Sequence, residues 1–300
     1  MKILAAVVTH NRCALLARCL DHIASQTRKP DCVIVVNNAS TDDTVGMLTM
    51  RGTRFVTQDN LGSAGGWNRC IQVAIDEKFD AVWLMDDDGF PDAHALLSLE
   101  QTLSSGVACA SSIVVKENAI GEFVFPFPKL NVYGLPVLFR RTRKVHRVED
   151  LEALALDGTY PFAHFFNGAL IDLAAVLKVG NVDSRFFMFG DEVDYFFRLR
   201  EAGLVCSVIK ALHMHPDVSK RPYTPAKVYY YLKNTLILNQ RYFDWPWVRH
   251  GLAVSAVLVR TAQRNGLAEV FSLLVGKNSS AFYSAIVRGI MGKLGKDFNG

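Results

Sequence analysis

The chain carries in its first third the stretch Val82-Trp83-Leu84-Met85-Asp86-Asp87-Asp88, an apolar run that ends in three consecutive carboxylates. The apolar residues predict a buried strand, and carboxylates crowded at its end repel one another unless a cation lies between them. Oxygen ligands suit a hard ion such as Mg²⁺ or Mn²⁺, which is commonly shared with the phosphates of a substrate. The stretch therefore indicates a metal and diphosphate site, although a solvated acidic turn explains these residues equally well on their own.

The composition is that of a folded protein. Half of the 300 residues are apolar, and the net charge of +4 is too small to indicate a nucleic-acid partner. The six cysteines show no CxxC spacing, and the first predicted strand begins at Ile3. We therefore expect reduced thiols, no secretory leader and a cytoplasmic chain, acting at the inner face of the plasma membrane if its acceptor is lipid-linked.

The N-terminal half alternates predicted strands and helices, which indicates an α/β fold with a mostly parallel, Rossmann-like sheet. In such sheets, ligands bind beyond the carboxyl ends of the strands. Polar clusters follow four predicted strands, at Thr9–Arg12, Asn37–Asp42, Asn60–Gly66 and Asp86–Asp88. We expect one domain at 1–220, whose pattern changes near residue 115. A helical region is expected to follow at 221–300.

The polar clusters each have a functional and a structural interpretation. Asn37, Asn38, Ser40 and Asp42 can hydrogen-bond a base and a ribose, or they can form an Asx turn that caps the next helix. The glycines of Asn60–Gly66 can let the backbone approach a phosphate, although a packing loop is the simpler explanation.

A second acidic centre lies at Asp191-Glu192, directly after Gly190 and at a predicted helix start. One of these carboxylates can remove a proton from a substrate hydroxyl, whereas the structural alternative is stabilisation of the helix dipole. His213 and His215 face the same side of a predicted strand. His215 is the preferred nitrogen ligand for the metal, with His213 and a purely structural histidine as alternatives.

Taken together, these segments resemble the inverting GT-A glycosyltransferases of family 2, in their bacterial rhamnosyltransferase and galactofuranosyltransferase branch. The resemblance covers roughly residues 3–240, and its motifs appear in the family's order. The similar segments are Val7–Arg12, Val35–Asp42, Asn60–Asn68, Trp83–Asp88, Asn167–Leu170, Val182–Tyr195 and Tyr229–Asn234. The resemblance implies a GT-A fold with a catalytic domain at 1–220, of which 1–115 would be the nucleotide-sugar-binding half and 116–220 the acceptor-binding half.

The resemblance also implies a role for each matching residue. The implied nucleotide-sugar-binding residues are Thr9, Asn11, Arg12, Asn37, Asn38, Ser40, Asp42, Asn60, Gly65, Gly66, Trp67, Asp86 and Asp87. The implied metal ligands are Asp86, Asp88 and His215, and the implied acceptor residues are Asn167, Gly168 and Asp191. Glu192 would be the general base. Two departures are visible: Asn37 replaces the family's usual aspartate, and Asp191-Glu192 reverses the usual Glu-Asp order, so either acid could be the base.

The implied reaction is a single displacement with Mn²⁺ or Mg²⁺ as cofactor. A sugar, galactofuranose or rhamnose foremost, would be transferred from its uridine- or thymidine-diphosphate donor to a cell-surface glycan or a lipid-linked acceptor, and the nucleoside diphosphate would leave. The alternatives are a nucleotidyltransferase and a non-catalytic nucleotide-sugar-binding protein. Trp245, Trp247 and nearby basic residues suit a peripheral membrane contact of the C-terminal helices, and packing or a homodimer explains the same residues.

Overall fold

The computed structural model describes residues 1–137, 142–218 and 222–298. The chain forms two compact units, of which the first comprises Met1–Val182 and Tyr195–Asp217 and the second Asp183–Asp194 and Val218–Gly300. The segment that carries Asp191 and Glu192 thus belongs to the unit that contains the C-terminal helices. The expected domain boundary at residue 220 falls in 219–221, outside the described residues.

The strands lie in the first unit. Within the described ranges they are β1 (Ile3–Thr9), β2 (Cys32–Asn38), β3 (Phe55–Gln58), β4 (Ala81–Asp86), β5 (Phe90–Pro91), β6 (Cys109–Lys116), β7 (Ala119–Pro128), β8 (Lys144–Arg147), β9 (Thr159–Tyr160), β10 (Asn167–Asp172) and β11 (Val205–His215). The first six helices are α1 (Cys13–Ala24), α2 (Thr44–Met50), α3 (Gly62–Asp76), α4 (Ala95–Leu103), α5 (Val148–Glu152) and α6 (Leu173–Val179).

The main sheet is mixed and has the strand order β3-β2-β1-β4-β10-β6-β11-β5. The first four strands pair in parallel, as their alternation with helices predicted. Strand β10 then lies antiparallel between β4 and β6, while β6 and β11 pair in parallel. The α/β class is confirmed, and its parallel half is the part that brings the polar strand ends to one edge.

The centre of the sheet is buried on both faces, which explains its uninterrupted apolar strands. All seven residues of β1 and five of the six in β4 are buried. Leu16, Cys19, Leu20 and Ile23 recur at helical spacing on α1 and pack in the same core. Burial of these side chains, at about 25 cal/mol per Å² of apolar surface, stabilises the platform that carries the strand ends.

One predicted element boundary is wrong. The apolar run Phe162–Ile171 predicts a strand, but β10 begins at Asn167 because Phe166 (φ 70°) leaves the extended conformation. The run Ser63–Glu77 predicts a helix that opens in glycines, and α3 begins one residue earlier, at Gly62. Gly65 and Gly66 therefore lie in the first turns of a helix.

The second unit is helical. Its described helices are α8 (Pro225–Tyr242), α9 (Pro246–Asn265), α10 (Leu267–Leu274) and α11 (Ser279–Ile290), and α7 (Asp191–Ala202) begins in it. Helix α8 packs against α9 and α11 around a core that includes Tyr230, Leu236, Val257 and Phe282. Within the described residues no single helix has the length and apolar content to cross a bilayer, whereas α10 and α11 taken together, with a bend of 64°, meet those criteria.

Candidate active site

The polar residues that follow the parallel strands come together at one edge of the sheet. In the register of the parallel strands, Thr9 at the end of β1 pairs with Asn37 of β2, and Val8 pairs with Asp86 of β4. Asn37 pairs in turn with Thr57 of β3. The expectation that these strand ends share an edge is therefore confirmed by the pairing.

The aspartate triplet forms a buried acidic cluster with Thr9 and Arg12. Asp87 and Asp88 are 2% and 3% exposed. The Thr9 hydroxyl donates to Asp87 Oδ2 at 2.7 Å, and Arg12 Nη1 lies 2.9 Å from Asp87 Oδ1 and 3.0 Å from Asp88 Oδ2. Burial raises the pKa of Asp87, and the Arg12 guanidinium opposes that rise. The positive charge that crowded carboxylates require is thus supplied in part by the chain itself.

His215 is the histidine that contacts the triplet. Its Nε2 lies 3.0 Å from Asp88 Oδ1, and its Nδ1 lies 2.7 Å from the carbonyl oxygen of Pro216. An Nδ1–H that donates to this carbonyl leaves a lone pair on the Nε2 of a neutral ring, so a proton or a metal cation is needed between Nε2 and the carboxylate. Adjacent ligands of an octahedral ion at about 2.1 Å lie about 3.0 Å apart, so this pair fits a divalent cation.

His213 has a different environment. It is fully buried, and both of its ring nitrogens have no hydrogen-bond partner among the described residues. Burial lowers its pKa to about 3, with the neighbouring His215 as a further cause. Its burial favours a neutral ring in the core, and the choice between His213 and His215 as metal ligand remains a prediction.

The three predicted metal ligands are only partly assembled. Within residues 1–137, 142–218 and 222–298, no group of three or more His, Cys, Asp or Glu side chains is arranged to hold a metal. Asp88 and His215 are in contact, while Asp86 ends β4 with its backbone N–H bonded to the carbonyl oxygen of Phe166. The participation of all three residues in metal binding remains a prediction.

Asn37 and Asn38 are buried and use their amide groups within the protein. Asn37 Oδ1 accepts from the backbone N–H of Ser40 at 3.0 Å, and its Nδ2 donates to Thr57 Oγ1 at 3.2 Å. Asn38 Nδ2 donates to the carbonyl oxygen of Gly62 at 3.1 Å. The Asx turn before α2 is made instead by Asp42, whose Oδ1 accepts from the backbone N–H of Thr44 at 3.2 Å. A contact of Asn37 and Asn38 with a base or ribose remains a prediction.

Asn11, Ser40 and Asp42 link the ends of β1 and β2. The side-chain oxygen of Asn11 (φ 54°) accepts from the backbone N–H of Thr41 at 2.7 Å. The backbone N–H of Asn11 donates to Ser40 Oγ at 3.0 Å. Asp42 Oδ2 accepts from the backbone N–H of Cys13 at 3.0 Å. These bonds fix the loop that carries Arg12, and Asn11 and Asp42 are exposed.

The start of α3 is shaped by close packing. A Cβ on Gly66 would lie 2.5 Å from Val8 Cγ1, so glycine lets α3 approach β1. Trp67 is 1% exposed and stacks on Phe166 with ring centroids 4.5 Å apart. Asn60 Oδ1 accepts from the backbone N–H of Gly62 at 3.0 Å. This packing explains Gly66 and Trp67 without a ligand, and the predicted donor contacts of Asn60, Gly65, Gly66 and Trp67 remain predictions.

Asn167 and Gly168 lie beside the triplet at the start of β10. Asn167 pairs with Met85, the residue before Asp86, and its buried Oδ1 has no hydrogen-bond partner in the described part of the chain. A Cβ on Gly168 would lie 2.7 Å from Ser112 Oγ, in addition to the strain of its positive φ. An acceptor contact of these residues remains a prediction.

The acidic pair Asp191-Glu192 opens α7 in the second unit. Asp191 is 3% exposed, whereas Glu192 is half-buried and accepts the backbone N–H of Gly190 at its Oε2 at 2.9 Å. The preceding loop is held by Asn234 of α8, whose Nδ2 lies within 3.0 Å of the carbonyl oxygens of Phe186, Met188 and Phe189. Sequence reasoning assigned no role to Asn234, because a bond across 45 residues leaves no local pattern.

Comparisons with known proteins identify the family. The model of Glycosyl transferase family 2 matches residues 5–145. The chain is 35% identical over 218 residues to galactofuranosyltransferase GlfT1 of Mycolicibacterium smegmatis, a match that covers 71% of this chain and 70% of that protein. The chain therefore belongs to glycosyltransferase family 2 and is a glycosyltransferase.

Further relatives agree with this assignment. The chain is 34% identical over 222 residues to galactofuranosyltransferase GlfT1 of Mycobacterium tuberculosis, covering 71% of this chain and 70% of that one. Among solved structures, GalNAc-T7 with UDP, GalNAc and Mn²⁺ superposes with a TM-score of 0.62 at 11% identity, over 97% of this chain and 56% of that chain. A mannosyltransferase from Pyrobaculum calidifontis with GDP-Man and Mn²⁺ superposes with a TM-score of 0.53 at 15% identity, over 97% of this chain and 86% of that chain. These likenesses confirm the GT-A fold.

Proposed function

We propose that the protein is a metal-dependent, inverting galactofuranosyltransferase that uses a uridine-diphosphate sugar. The observation that supports galactofuranose as the transferred sugar is the 35% identity to a galactofuranosyltransferase over 71% of this chain. Rhamnose from a thymidine-diphosphate donor is the second candidate, because the motifs of Asn60–Asn68 and Trp83–Asp88 are shared by both branches. The proposed acceptor is a hydroxyl of a bacterial surface glycan or of a lipid-linked glycan.

The proposed donor-binding residues are those at the edge where the parallel strands end. Thr9, Asn37 and Asp87 are proposed to contact the nucleoside, and the exposed Arg12 side chain is close enough to the triplet to bind the diphosphate. Asp86, Asp88 and His215 are proposed to hold Mn²⁺ or Mg²⁺. Such an ion, when bound, neutralises charge that develops on the departing diphosphate. The contact of Asp88 with His215 supports this set because it fits two adjacent ligands.

The acceptor half rests on the acidic pair. Glu192 is proposed to remove the proton of the acceptor hydroxyl as that oxygen attacks the anomeric carbon from the face opposite the diphosphate. Asp191, Asn167 and Gly168 are proposed to position the acceptor. The greater exposure of Glu192 supports its choice over the buried Asp191 as the base. A single displacement needs no covalent intermediate, so no nucleophile triad is required.

The partners and the place of action remain part of the proposal. A lipid-linked acceptor would place the enzyme at the cytoplasmic face of the plasma membrane. The C-terminal helices are proposed to contact that surface, and a homodimer through the same helices is the competing proposal.

Replacement of the proposed base tests this function. With UDP-galactofuranose as donor, Glu192→Gln should lower turnover by at least about a hundredfold, within the range for loss of a general base, while donor binding is kept. Glu201→Gln, an exposed residue on the same helix, is the matched control and should retain turnover. A Glu192→Gln enzyme with normal turnover would remove this residue from the mechanism. The same assay with dTDP-rhamnose decides between the two donors.

A further inference from the structure

The last three helices carry outward rows of large apolar side chains. On α9, Val248, Leu252 and Val259 are 42%, 42% and 55% exposed. Helical spacing places these three residues on one face of the helix. A soluble helix normally turns this kind of face inward.

Helices α10 and α11 repeat the pattern. Leu267 and Phe271 lie four apart on α10, Val275 directly follows the helix, and the three are 66% to 78% exposed. On α11, Tyr283 and Val287 are 50% and 55% exposed. Because α10 packs against both α9 and α11, the three outward rows lie on adjacent helices. We refer to these rows, residues 248–259, 267–275 and 283–287, as the apolar face.

Two arginines near the end of α9 pack against tyrosine rings. The guanidinium of Arg260 lies 4.9 Å from the ring centroid of Tyr231 and 5.7 Å from that of Tyr223. Arg264 lies 5.8 Å from the Tyr223 centroid. Helix α9 therefore buries Val257 in the core and packs these two arginines on tyrosine rings, while Val248, Leu252 and Val259 stay exposed on its outer side. A helix surrounded by water normally has polar rather than large apolar side chains on its outer side.

The charges around the apolar face suit an anionic partner. From residue 244 onward the chain has seven basic and three acidic residues. The acidic ones are engaged within the unit: Asp244 with Arg249, Glu269 with Asn278, and Asp297 with Lys233. The exposed Lys277 and Lys293 follow the ends of α10 and α11.

We propose that the apolar face lies in the headgroup region of an anionic lipid bilayer, with Trp247 and these lysines at its edge. Tryptophan and lysine favour the membrane interface, where one part of the side chain is apolar and the other is hydrated. The excess of positive charge supports an anionic lipid surface rather than a second copy of the chain as the occupant, because a second copy carries the same excess. The short lengths of α10 and α11 and the 64° bend between them suit helices lying at the surface.

Vesicle flotation of the full-length protein tests this proposal without any donor sugar, so its result is independent of the transfer reaction. The protein should float with phosphatidylglycerol-containing vesicles and more weakly with pure phosphatidylcholine. Phe271→Ser/Val287→Ser should abolish flotation, whereas Leu177→Ser, an equally exposed apolar residue on α6, should not. Each of Lys277→Gln and Lys293→Gln should weaken binding by about fivefold.

Three results would overturn the proposal. The first is no flotation with either vesicle. The second is flotation that the apolar-face variants leave unchanged. The third is a dimer in sedimentation analysis that Phe271→Ser/Val287→Ser dissociates while vesicles do not bind, which would assign the apolar face to a second copy.

A separate observation concerns the loop before the acidic pair. Phe187 (φ 65°), Phe189 (φ 61°) and Gly190 (φ 89°) all have positive φ angles. Two phenylalanines in this region are strained, and such strain persists only where the surroundings hold it. It ends at Asp191, the first residue of α7.

Helix α8 holds both sides of the acidic pair. Asn234, fully buried, directs its Nδ2 at three loop carbonyl oxygens at 2.8–3.0 Å, and its Oδ1 has no hydrogen-bond partner in the described ranges. Beyond the pair, Asp194 Oδ1 accepts from Arg241 at 3.0 Å and from the Tyr242 hydroxyl at 2.7 Å. The Asn234 amide therefore fixes the loop through its nitrogen, while its oxygen stays without a hydrogen bond, an arrangement that is rare for a buried polar atom.

We infer that Asn234 is a positioning residue for the acidic pair, an inference that rests on the proposed function. Asn234→Ala should lower kcat by about a hundredfold through misplacement of the base, with the donor KM nearly unchanged. Asn239→Ala is the matched control, because Asn239 is a buried asparagine on the same helix that contacts His250. Asn234→Ser, which keeps one shorter donor, should recover part of kcat.

The wild-type assay comes first, so failure of the proposed function is seen before any variant is compared. A folded Asn234→Ala enzyme with wild-type kcat would contradict the inference. Equal losses of kcat in Asn234→Ala and Asn239→Ala would do the same, because they would show only a general loss of stability.

Discussion

At the scale of single residues, the site depends on how the aspartate triplet is neutralised. The sequence shows three adjacent carboxylates, and the structure shows that Thr9, Arg12 and His215 satisfy two of them. Arg12 was expected to bind the donor, and its contacts give it a second role in holding the triplet. The polar character of these residues was predictable from the sequence, because each lies at or just beyond the end of a strand. Which residue contacts which was not predictable, because the contacts join segments 75 or more residues apart.

The Thr9 hydroxyl should contribute measurably to stability. Thr9→Val removes the donor to the buried Asp87 carboxylate while keeping nearly the same volume, and we expect a loss of about 1.5–3 kcal/mol in the free energy of unfolding. Urea unfolding measures this loss. Thr49→Val, at an exposed position of α2, should change stability by less than about 0.5 kcal/mol. An equal effect of the two variants would show that the Thr9 to Asp87 bond adds nothing.

His164 should make the fold sensitive to acid. Its Nε2 is buried without a partner among the described residues, and burial lowers its pKa from 6.5 to about 4. The folded state therefore favours the neutral ring, so its contribution to stability is complete above pH 6.5 and is lost as the pH falls toward 4. The loss is on the order of 3 kcal/mol.

Replacement of the ring tests this dependence. His164→Phe keeps the aromatic packing but cannot titrate, so the free energy of unfolding should fall less steeply between pH 6.5 and 4 than in the wild type. The comparison uses the slope of the free energy of unfolding against pH rather than its value. The variant also loses the ring's hydrogen bonds to the backbone of Phe125 and Pro126, and this loss is the same at every pH. Identical slopes would show that other groups account for the acid sensitivity.

At the scale of secondary-structure elements, the parallel half of the sheet was predictable and the antiparallel insertion was not. Alternating strands and helices dictate parallel pairing of β1 to β4. The antiparallel direction of β10 is set by tertiary contacts with β4 and β6, to which no local pattern corresponds. Its late start was hidden because Phe166 is an apolar residue in a left-handed conformation, which its sequence does not signal.

Helix α3 offers a test of the packing interpretation of its glycines. In Gly66→Ala the new Cβ would lie 2.5 Å from Val8 Cγ1, so we expect a loss of about 1–3 kcal/mol in stability from overpacking. Gly251→Ala is the matched helical control, because its Cβ would meet nothing within 4 Å. It should raise stability by about 0.4–1 kcal/mol through helix propensity. A neutral Gly66→Ala would leave donor binding as the better reason for this glycine.

At the scale of the whole molecule, the acidic pair and the aspartate triplet belong to different compact units. The sequence suggested one catalytic domain up to residue 220, and the assignment of 183–194 to the helical unit could not be read from it. The reason is physical: Asn234, Arg241 and Tyr242 hold this short segment through bonds that span 45 to 48 residues. The functional division at residues 115 and 220 remains a prediction.

The central claim is that Asp86, Asp88 and His215 hold a divalent cation shared with the diphosphate of an activated sugar. The direct measurement is galactofuranose transfer by the purified protein from UDP-galactofuranose, first after treatment with EDTA and then after addition of Mn²⁺. We predict that EDTA abolishes transfer, that Mn²⁺ restores it, and that Asp88→Asn loses the response to the metal. Transfer that continues at the same rate in EDTA would contradict the account.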